Sequence, residues 1–515
     1  MESLTPPESP ALSLPPEILS VILSLSGHSR TGPNAVQLAH VCRQWRHVLL
    51  GLSEYWADTV ASFKFSEETD VPFLSFILDR SSPRRIKLHD TCLFPSISIA
   101  LAPHWHRVVY LDVTIPSEDR LRELHAIFQD GPSSGLRRLF VRFQPMEYDI
   151  SKVQLTPLQN GALPSLIRLR TPVFFLPFVT VPSIRYLQIS SSKGWHTHKP
   201  VANEALDILF DALAICTKLE TLTIGTLSED RLHIFPSTTR NVYMRRLKIL
   251  SINGCCFGQT YAILCTLGSP VTTDVKIDCC QWLQSDGIRD VVLPDWPPSA
   301  DTVRMTVHNA RVFMLEVAEG DAARFNVRHG VYYSFEKDIA EVCSKRPTVT
   351  KFECASLVDP DHRHAGTLRL RWNEILPGFS NITRLSVRRQ DPCNIARALQ
   401  CWTSPPAGTG LPPCPHLEDL AIAWHDFSEI GTTVRQRGCA AIDAFVESLT
   451  SRRQLGVTPL RLLELHHHKP NPPPPAEVFL APGDAQIIED ALVVVRGLVN
   501  GPVVFNIVAG PITSP

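Results

Sequence analysis

The sequence predicts an α/β protein in two parts: a short all-helical N-terminal module, then a long irregular array of strand–helix units. Three observations predict it. Between Leu12 and Trp56 the apolar residues recur at helical spacing. From about residue 84 a phrase of the form apolar-x-x-apolar-x-apolar recurs, with helical stretches between many of its copies. The chain has 515 residues, 44% hydrophobic and 20% charged, which is globular composition in a length that exceeds one ordinary core.

Residues 1–11 hold three prolines and read as a disordered tail. The module follows over residues 12–60. Leu14-Pro15-Pro16-Glu17-Ile18-Leu19 reads as a helix start: proline is tolerated in a first turn, where its missing N–H would have no partner. Glu17 sits where the helix dipole favours negative charge. Ile18, Val21, Ile22 and Leu25 fall at i, i+3, i+4 and i+7, and Leu19 and Leu23 widen that face. So wide an apolar surface leaves part of the helix without an internal partner. A loop rich in Gly, Ser, Pro and Asn spans Ser26 to Asn34. A second helix is predicted from Ala35 to about Leu50, with Leu38, Val41, Cys42, Trp45 and Leu49 on its apolar side, and Trp56 closes the unit. A helical unit this small is marginal alone. Residues 61–83 are a connector carrying one helix, Val71 to Asp79.

Residues 84–515 form the array. Full copies of the phrase are Val108-Leu111-Val113, Leu136-Leu139-Val141, Ile184-Leu187-Ile189, Leu219-Leu222-Ile224, Leu247-Leu250-Ile252, Ile382-Leu385-Val387, Leu417-Leu420-Ile422 and Leu460-Leu463-Leu465. Degenerate copies stand at Leu166-Leu169, Val275-Ile277, Val303-Met305-Val307 and Val349-Phe352. Physically the phrase is a short strand with alternate residues inward and an apolar anchor before it. Helical stretches at Ala205–Cys216, Gln259–Leu267 and Gly438–Thr450 separate several copies. A repeated strand–helix unit leaves its apolar face for the neighbour to cover, the requirement of a solenoid. Strands alternating with helices also build doubly wound sheets, so that design stays open. Pro-rich stretches at 404–415 and 470–475 read as exposed loops or stiff spacers. A last helix from Asp484 to about Val499 and a strand from Val503 to Val508 would cap the open end.

The N-terminal string resembles a known module. Leu14-Pro15-Pro16-Glu17-Ile18-Leu19, then Val41-Cys42-Arg43-Gln44-Trp45-Arg46, then Tyr55-Trp56 resembles the F-box, by which substrate receptors dock onto the Skp adaptor of cullin–RING ubiquitin ligases. The longer loop around Gly27–Asn34 departs from the compact animal form and is familiar in fungal F-box-like proteins. The resemblance covers a small part of the chain. It implies that Leu14, Pro15, Ile18, Leu19 and Ile22 meet the adaptor, and that Val41, Cys42 and Trp45 hold the second helix, some also touching the partner. The repeated phrase resembles the leucine-rich repeat, including its terminal polar position: Leu247, Leu250 and Ile252 lead to Cys255, and Val275-Ile277 leads to Cys280. In such repeats that residue is buried in the turn and bonds the neighbouring coil. Spacings of roughly eighteen to nearly fifty residues make the array irregular.

These resemblances imply a substrate-recognition subunit of a Skp–cullin–F-box ubiquitin ligase, with a target protein on the repeat body. The alternative is a repeat scaffold or regulator that uses the module only for association. Trp195, Trp282, Trp296, Trp372 and Trp424 are either binding anchors or fillers of junctions between units.

Other chemistry finds little support in the residues. Net charge is −1, so no basic excess exists to hold nucleic acid or an anionic membrane. Basic pairs such as Arg84-Arg85, Arg137-Arg138, Arg245-Arg246 and Arg388-Arg389 are dispersed and read as solvated surface. No apolar run approaches the roughly eighteen residues of a membrane helix, and the acidic, Pro-rich start is unlike a secretory or mitochondrial leader. Fourteen cysteines lack a framework spacing and read as reduced thiols, giving an expected cytoplasmic or nuclear location. His466-His467-His468 alternate across a strand and cannot converge on one metal, and His104-x-His106, His196-x-His198 and His362-x-His364 lack further ligands at metal spacing. Phosphate-cradling glycine loops, nucleophile elbows and H-E-x-x-H are missing. No catalytic residue, metal or cofactor is expected.

Overall fold

The computed structural model describes residues 14–26, 40, 42–65, 67–129, 135–143, 156–158, 162–190, 202–227, 241–255, 257–268, 273–279, 299–309, 312–319, 322–330, 335–346, 348–356, 370–400, 413–425, 434–469 and 482–509. The protein is mixed α/β with a large, mostly parallel sheet, and the chain divides into two compact units.

The first unit, residues 1–249 with 266–270, opens with α1 (Pro16–Ser26), α2 (Arg43–Gly51), α3 (Ser53–Ser62) and α4 (Val71–Arg80). The first turn of α1 forms as its prolines predict, with the Leu19 N–H donating to the Pro15 carbonyl at 3.0 Å. The second helix begins at Arg43; residues 35–39 and 41, also expected to be helical, lie outside the described residues. Cys42 is its N-cap, in extended conformation (φ −158, ψ 174), and Cys42 Sγ accepts the Trp45 N–H at 3.4 Å. The sulfur occupies the place a Ser or Asp oxygen would take, so Cys42 lies outside the helix proper. The connector helix forms as predicted, one residue longer.

Six strands then pair in parallel in chain order: β1 (Ile86–Cys92), β2 (Val108–Ile115), β3 (Arg138–Phe143), β4 (Arg168–Thr171), β5 (Tyr186–Ile189) and β6 (Thr221–Ile224). Parallel neighbours need a crossover, supplied by helices Pro95–Leu101, Glu118–Gln129 and Ala202–Ile215 and a 3₁₀ turn at Val173–Phe178. The repeated phrase sets the register. Leu111, Leu139, Leu169, Leu187 and Leu222 stand opposite one another in one column, and none is more than 1% exposed. Each anchor closes a turn before its strand, as in Leu166 N–H to Leu163, Ile184 to Val181 and Leu219 to Cys216. Two successive N–H groups then share the carbonyl of the residue just before the preceding strand: Ile167 and Arg168 on Arg137, Arg185 and Tyr186 on Ile167, Glu220 and Thr221 on Arg185.

In the second unit, residues 250–265 and 271–515, the same geometry recurs over strands Thr302–Asn309, Lys351–Ser356, Arg384–Arg388, Asp419–His425, Leu462–Lys469 and Val503–Ala509. Val303, Phe352, Leu385, Leu420 and Leu463 form one buried column, and Met305, Cys354, Val387, Ile422 and Leu465 a second. Helices Phe335–Ser344, Trp372–Ile375, Pro392–Leu399, Val434–Gln454 and Pro482–Leu498 lie between or before these strands. The final helix and strand form where the sequence predicts a terminal cap.

One stretch departs from the parallel pairing. Thr302–Asn309, Val312–Glu319 and Ala322–Gly330 form an antiparallel meander, whose third strand pairs in parallel with Asp274–Cys279. The connections at 310–311 and 320–321 are two residues long, too short for a parallel crossover, so the chain must double back. The degenerate copy at Val303-Met305-Val307 is therefore both a rung of the ladder and the first strand of this meander.

Candidate functional site

On α1 the apolar residues divide between two surfaces. Leu19 and Leu23 are 0% exposed and belong to the core of the first unit. Ile18 is 48% exposed, Val21 57% and Ile22 37%, so the face predicted at i, i+3 and i+4 looks outward. Pro15 is exposed beside it and Leu14 is half-buried. An exposed branched aliphatic trio on one helix is unusual, because each residue leaves apolar surface in water that burial would remove favourably. Among the expected contact residues, Pro15, Ile18 and Ile22 share this outer surface, while Leu19 is fully occupied inside. Val21, outside that candidate set, is the most exposed of the trio.

A contact that sequence reasoning missed joins the start of α1 to α2. Gln44 Nε2 donates to the Leu14 carbonyl at 2.9 Å, pinning the entry to α1 against the first turn of α2. The pairing brings Leu14 and Pro15 to the helix that Cys42 caps and that carries Trp45. Both Cys42 and Trp45 are half-buried. Gln44 stands within the quoted motif, but glutamine in a helix gives no signal that it reaches a carbonyl thirty residues away. Val41 lies outside the described residues.

Rigidity behind the face comes from aromatic packing. Trp56 is 1% exposed and meets Tyr55 and Phe76 edge to face at 5.4 and 5.3 Å, tying α3 to α4. Burial pushes the Tyr55 hydroxyl above its ordinary range.

The remaining candidates resolve individually. Trp372 and Trp424 are buried, at 2% and 4% exposure, and fill the interior instead of anchoring a partner; Trp195, Trp282 and Trp296 lie outside the described residues. Cys255 is fully buried, as the repeat-like placement predicts, while Cys280 lies outside. His104 is half-buried, its imidazolium disfavoured first by burial and then by Arg107, with its ring at 3.1 Å from Arg107 Nη1 and 3.5 Å from Asp79. His466 contacts Glu464 at 3.7 Å and Asn506 at 3.5 Å. His196, His198, His362 and His364, and the Pro-rich residues 404–412 and 470–475, lie outside the described residues. Among the described residues no group of three or more His, Cys, Asp or Glu could hold a metal, and no helix is long and apolar enough to cross a membrane. Arg84, Arg85, Arg137, Arg138, Arg245 and Arg246 are exposed.

Compared with known proteins, the chain matches no protein-family model and has no significant match among curated proteins.

Proposed function

We propose that this protein is a substrate-recognition subunit of a Skp–cullin–F-box ubiquitin ligase. Its first helices would be an F-box-like module that docks on the Skp adaptor. The body would be an irregular leucine-rich-repeat-like solenoid that holds a target protein. In this reading the chain makes and breaks no bond. It acts by proximity, turning ubiquitin transfer to a bound target into an effectively intramolecular event.

The observation that carries the reading is the outward trio Ile18, Val21 and Ile22 beside Pro15, on a helix whose other apolar side is fully used by Leu19 and Leu23. An amphipathic helix laid into an apolar groove is a common recognition mode, and here the groove would belong to the partner. The phrase columns support the second half of the reading, since repeated strands in one register are what stacked repeats require.

The test is capture of purified Skp adaptor by the full-length chain, alongside Leu14→Ala/Pro15→Ala and Ile18→Ser/Ile22→Ser. Capture by the parent chain and its loss in both variants, with unfolding temperature unchanged, is the expected result. Failure of the parent chain to capture adaptor would overturn the proposal. Adaptor captured without any cullin joining it would leave a scaffold or regulator in its place.

A further inference from the structure

The positions of β1–β5 that alternate with the buried column carry a cluster of basic and aromatic side chains. Strand register places Lys87, Tyr110, Arg138, Arg168 and Tyr186 in one row across the strands. Asp112, Phe140, Arg170 and Gln188 make the next row, and Thr114 and Arg142 begin a third. The sheet therefore gathers five cations that the sequence scatters from residue 87 to residue 170.

Two carboxylates lie among them, and both are taken. Arg142 Nη2 reaches Asp90 at 2.5 Å and Asp112 at 2.9 Å, and Lys64 reaches the other Asp90 oxygen at 2.7 Å. Lys87, Arg138, Arg168 and Arg170 have no carboxylate partner among the described residues. Arg170 Nε is buried with no hydrogen-bond partner among them. The Arg168 guanidinium lies over the Tyr186 ring at 4.4 Å, which orients it without satisfying its donors. Aromatic surface interleaves the cations: His89 stacks near Tyr110 at 4.2 Å and Tyr110 meets Phe140 at 5.4 Å. On a chain with net charge −1, this is a local excess.

We infer that this face of β1–β5 docks an acidic peptide segment of a protein partner, its Asp or Glu carboxylates on Arg138, Arg168 and Arg170 and its apolar or aromatic side chains against Tyr110 and Phe140. The inference rests on the body being the target-holding part and names the chemistry of what it holds. Guanidinium forks bind carboxylates in a paired geometry. Adjacent strands lie about 4.8 Å apart and alternate residues of one strand about 7 Å apart, so Arg138, Arg168 and Arg170, without a carboxylate partner among the described residues, form a compact patch, not a track. Beyond Arg168 and Arg170 the two rows continue on Tyr186 and Gln188 and then on Thr221 and Thr223, none of them a cation, so β5 and β6 offer a nucleic-acid backbone nothing to follow.

The test uses the full-length chain and a fluorescently labelled peptide alternating Glu with Phe, read by anisotropy. Arg138→Gln/Arg168→Gln/Arg170→Gln should weaken binding at least tenfold, and replacing Glu by Gln in the peptide should do the same. Equal binding by the triple variant, equal binding of the Gln peptide, or no binding by the parent chain would overturn the inference. So would preferential binding of a phosphoserine peptide or of single-stranded RNA. If the triple variant does not fold, Arg138→Gln alone, at an exposed position, must weaken binding severalfold; an unchanged affinity would overturn the inference. Adaptor capture measured on the same preparations separates the two proposals. Peptide binding with no adaptor capture would overturn the ligase reading and leave the docking face standing.

Discussion

Trp56 donates its indole N–H to the carbonyl of Leu49 at 2.8 Å, closing the corner at Leu52 where α2 ends and α3 begins. The same carbonyl accepts the Leu52 backbone N–H at 3.1 Å, so the indole takes the second acceptor site of one of the last carbonyls of α2. The indole bond also fixes a large ring at the centre of a helical unit with little other core. Trp56→Phe keeps most of the ring and loses the donor, so it should cost about 1 kcal/mol. Trp56→Ala also leaves a cavity and should cost about 3–5 kcal/mol. Urea unfolding followed by far-UV circular dichroism gives both values. A Phe variant as damaged as the Ala variant would show that the hydrogen bond, not the ring, carries the corner.

The two sides of α1 should respond oppositely to substitution. Val21→Ser removes apolar surface that is already wet, so stability should change by no more than about 0.5 kcal/mol. Adaptor capture should fall if the outward trio is the docking surface. Leu19→Ala empties a fully buried position and should cost about 2–5 kcal/mol. Comparing unfolding free energy with capture for each variant separates a docking residue from a core residue. Capture that follows stability in both would argue against a dedicated face.

The strands from Ile86 onward are more legible in the sequence than the helices before them. All three apolar positions of every full copy of the phrase are at most 2% exposed, because a strand's period of two and its anchor leave the same mark each time. The repeated phrase does not reveal the meander at 302–330, although Gly320-Asp321 between two strand-like runs is a hairpin signal. Its first strand still satisfied the repeat phrase, and that match masked the turn. Cys42 keeps the helical spacing of Trp45 and Leu49, and spacing cannot register that it caps α2 instead of lying inside it. The arginine rows were invisible for a different reason. They occupy the variable positions of the phrase, and only register brings Arg138 beside Arg168 and Phe140 beside Arg170.

Glycine at 501 is required by close approach. A Cβ there would overlap the Arg461 carbonyl, while Asn500 donates to Leu460 at 2.8 Å and Leu463 to Pro502 at 3.1 Å. The turn that delivers the last strand thus lies directly on the start of the preceding one. Gly501→Ala should cost about 3 kcal/mol by forcing the two segments apart. Gly497, in the last helix with nothing near its added methyl, is the control. Gly497→Ala should be neutral or stabilise by up to about 1 kcal/mol. Limited proteolysis of the C-terminal segment reads out the local effect, and equal resistance of the two variants would refute it.

Stability in acid should depend on Asp90. The hydrogen bond from Lys64 holds its carboxyl below the ordinary range, and Arg142 on the other oxygen adds to the effect. Its folded pKa therefore lies below the unfolded value of about 3.9. A depressed carboxylate contributes stability that is fully present above the unfolded pKa. That contribution is lost as pH falls below about 4 toward the folded pKa. Asp90→Asn removes the charge and keeps a residue that tolerates the positive φ of +50 found there. The parent chain should lose unfolding temperature through this acid window more steeply than the variant. Since Asp90 is partly exposed, the difference should shrink in high salt. Melting curves collected from pH 7 down to pH 3 at two ionic strengths test this, and parallel curves for the two proteins would show that the Lys64–Asp90–Arg142 cluster contributes nothing to folding.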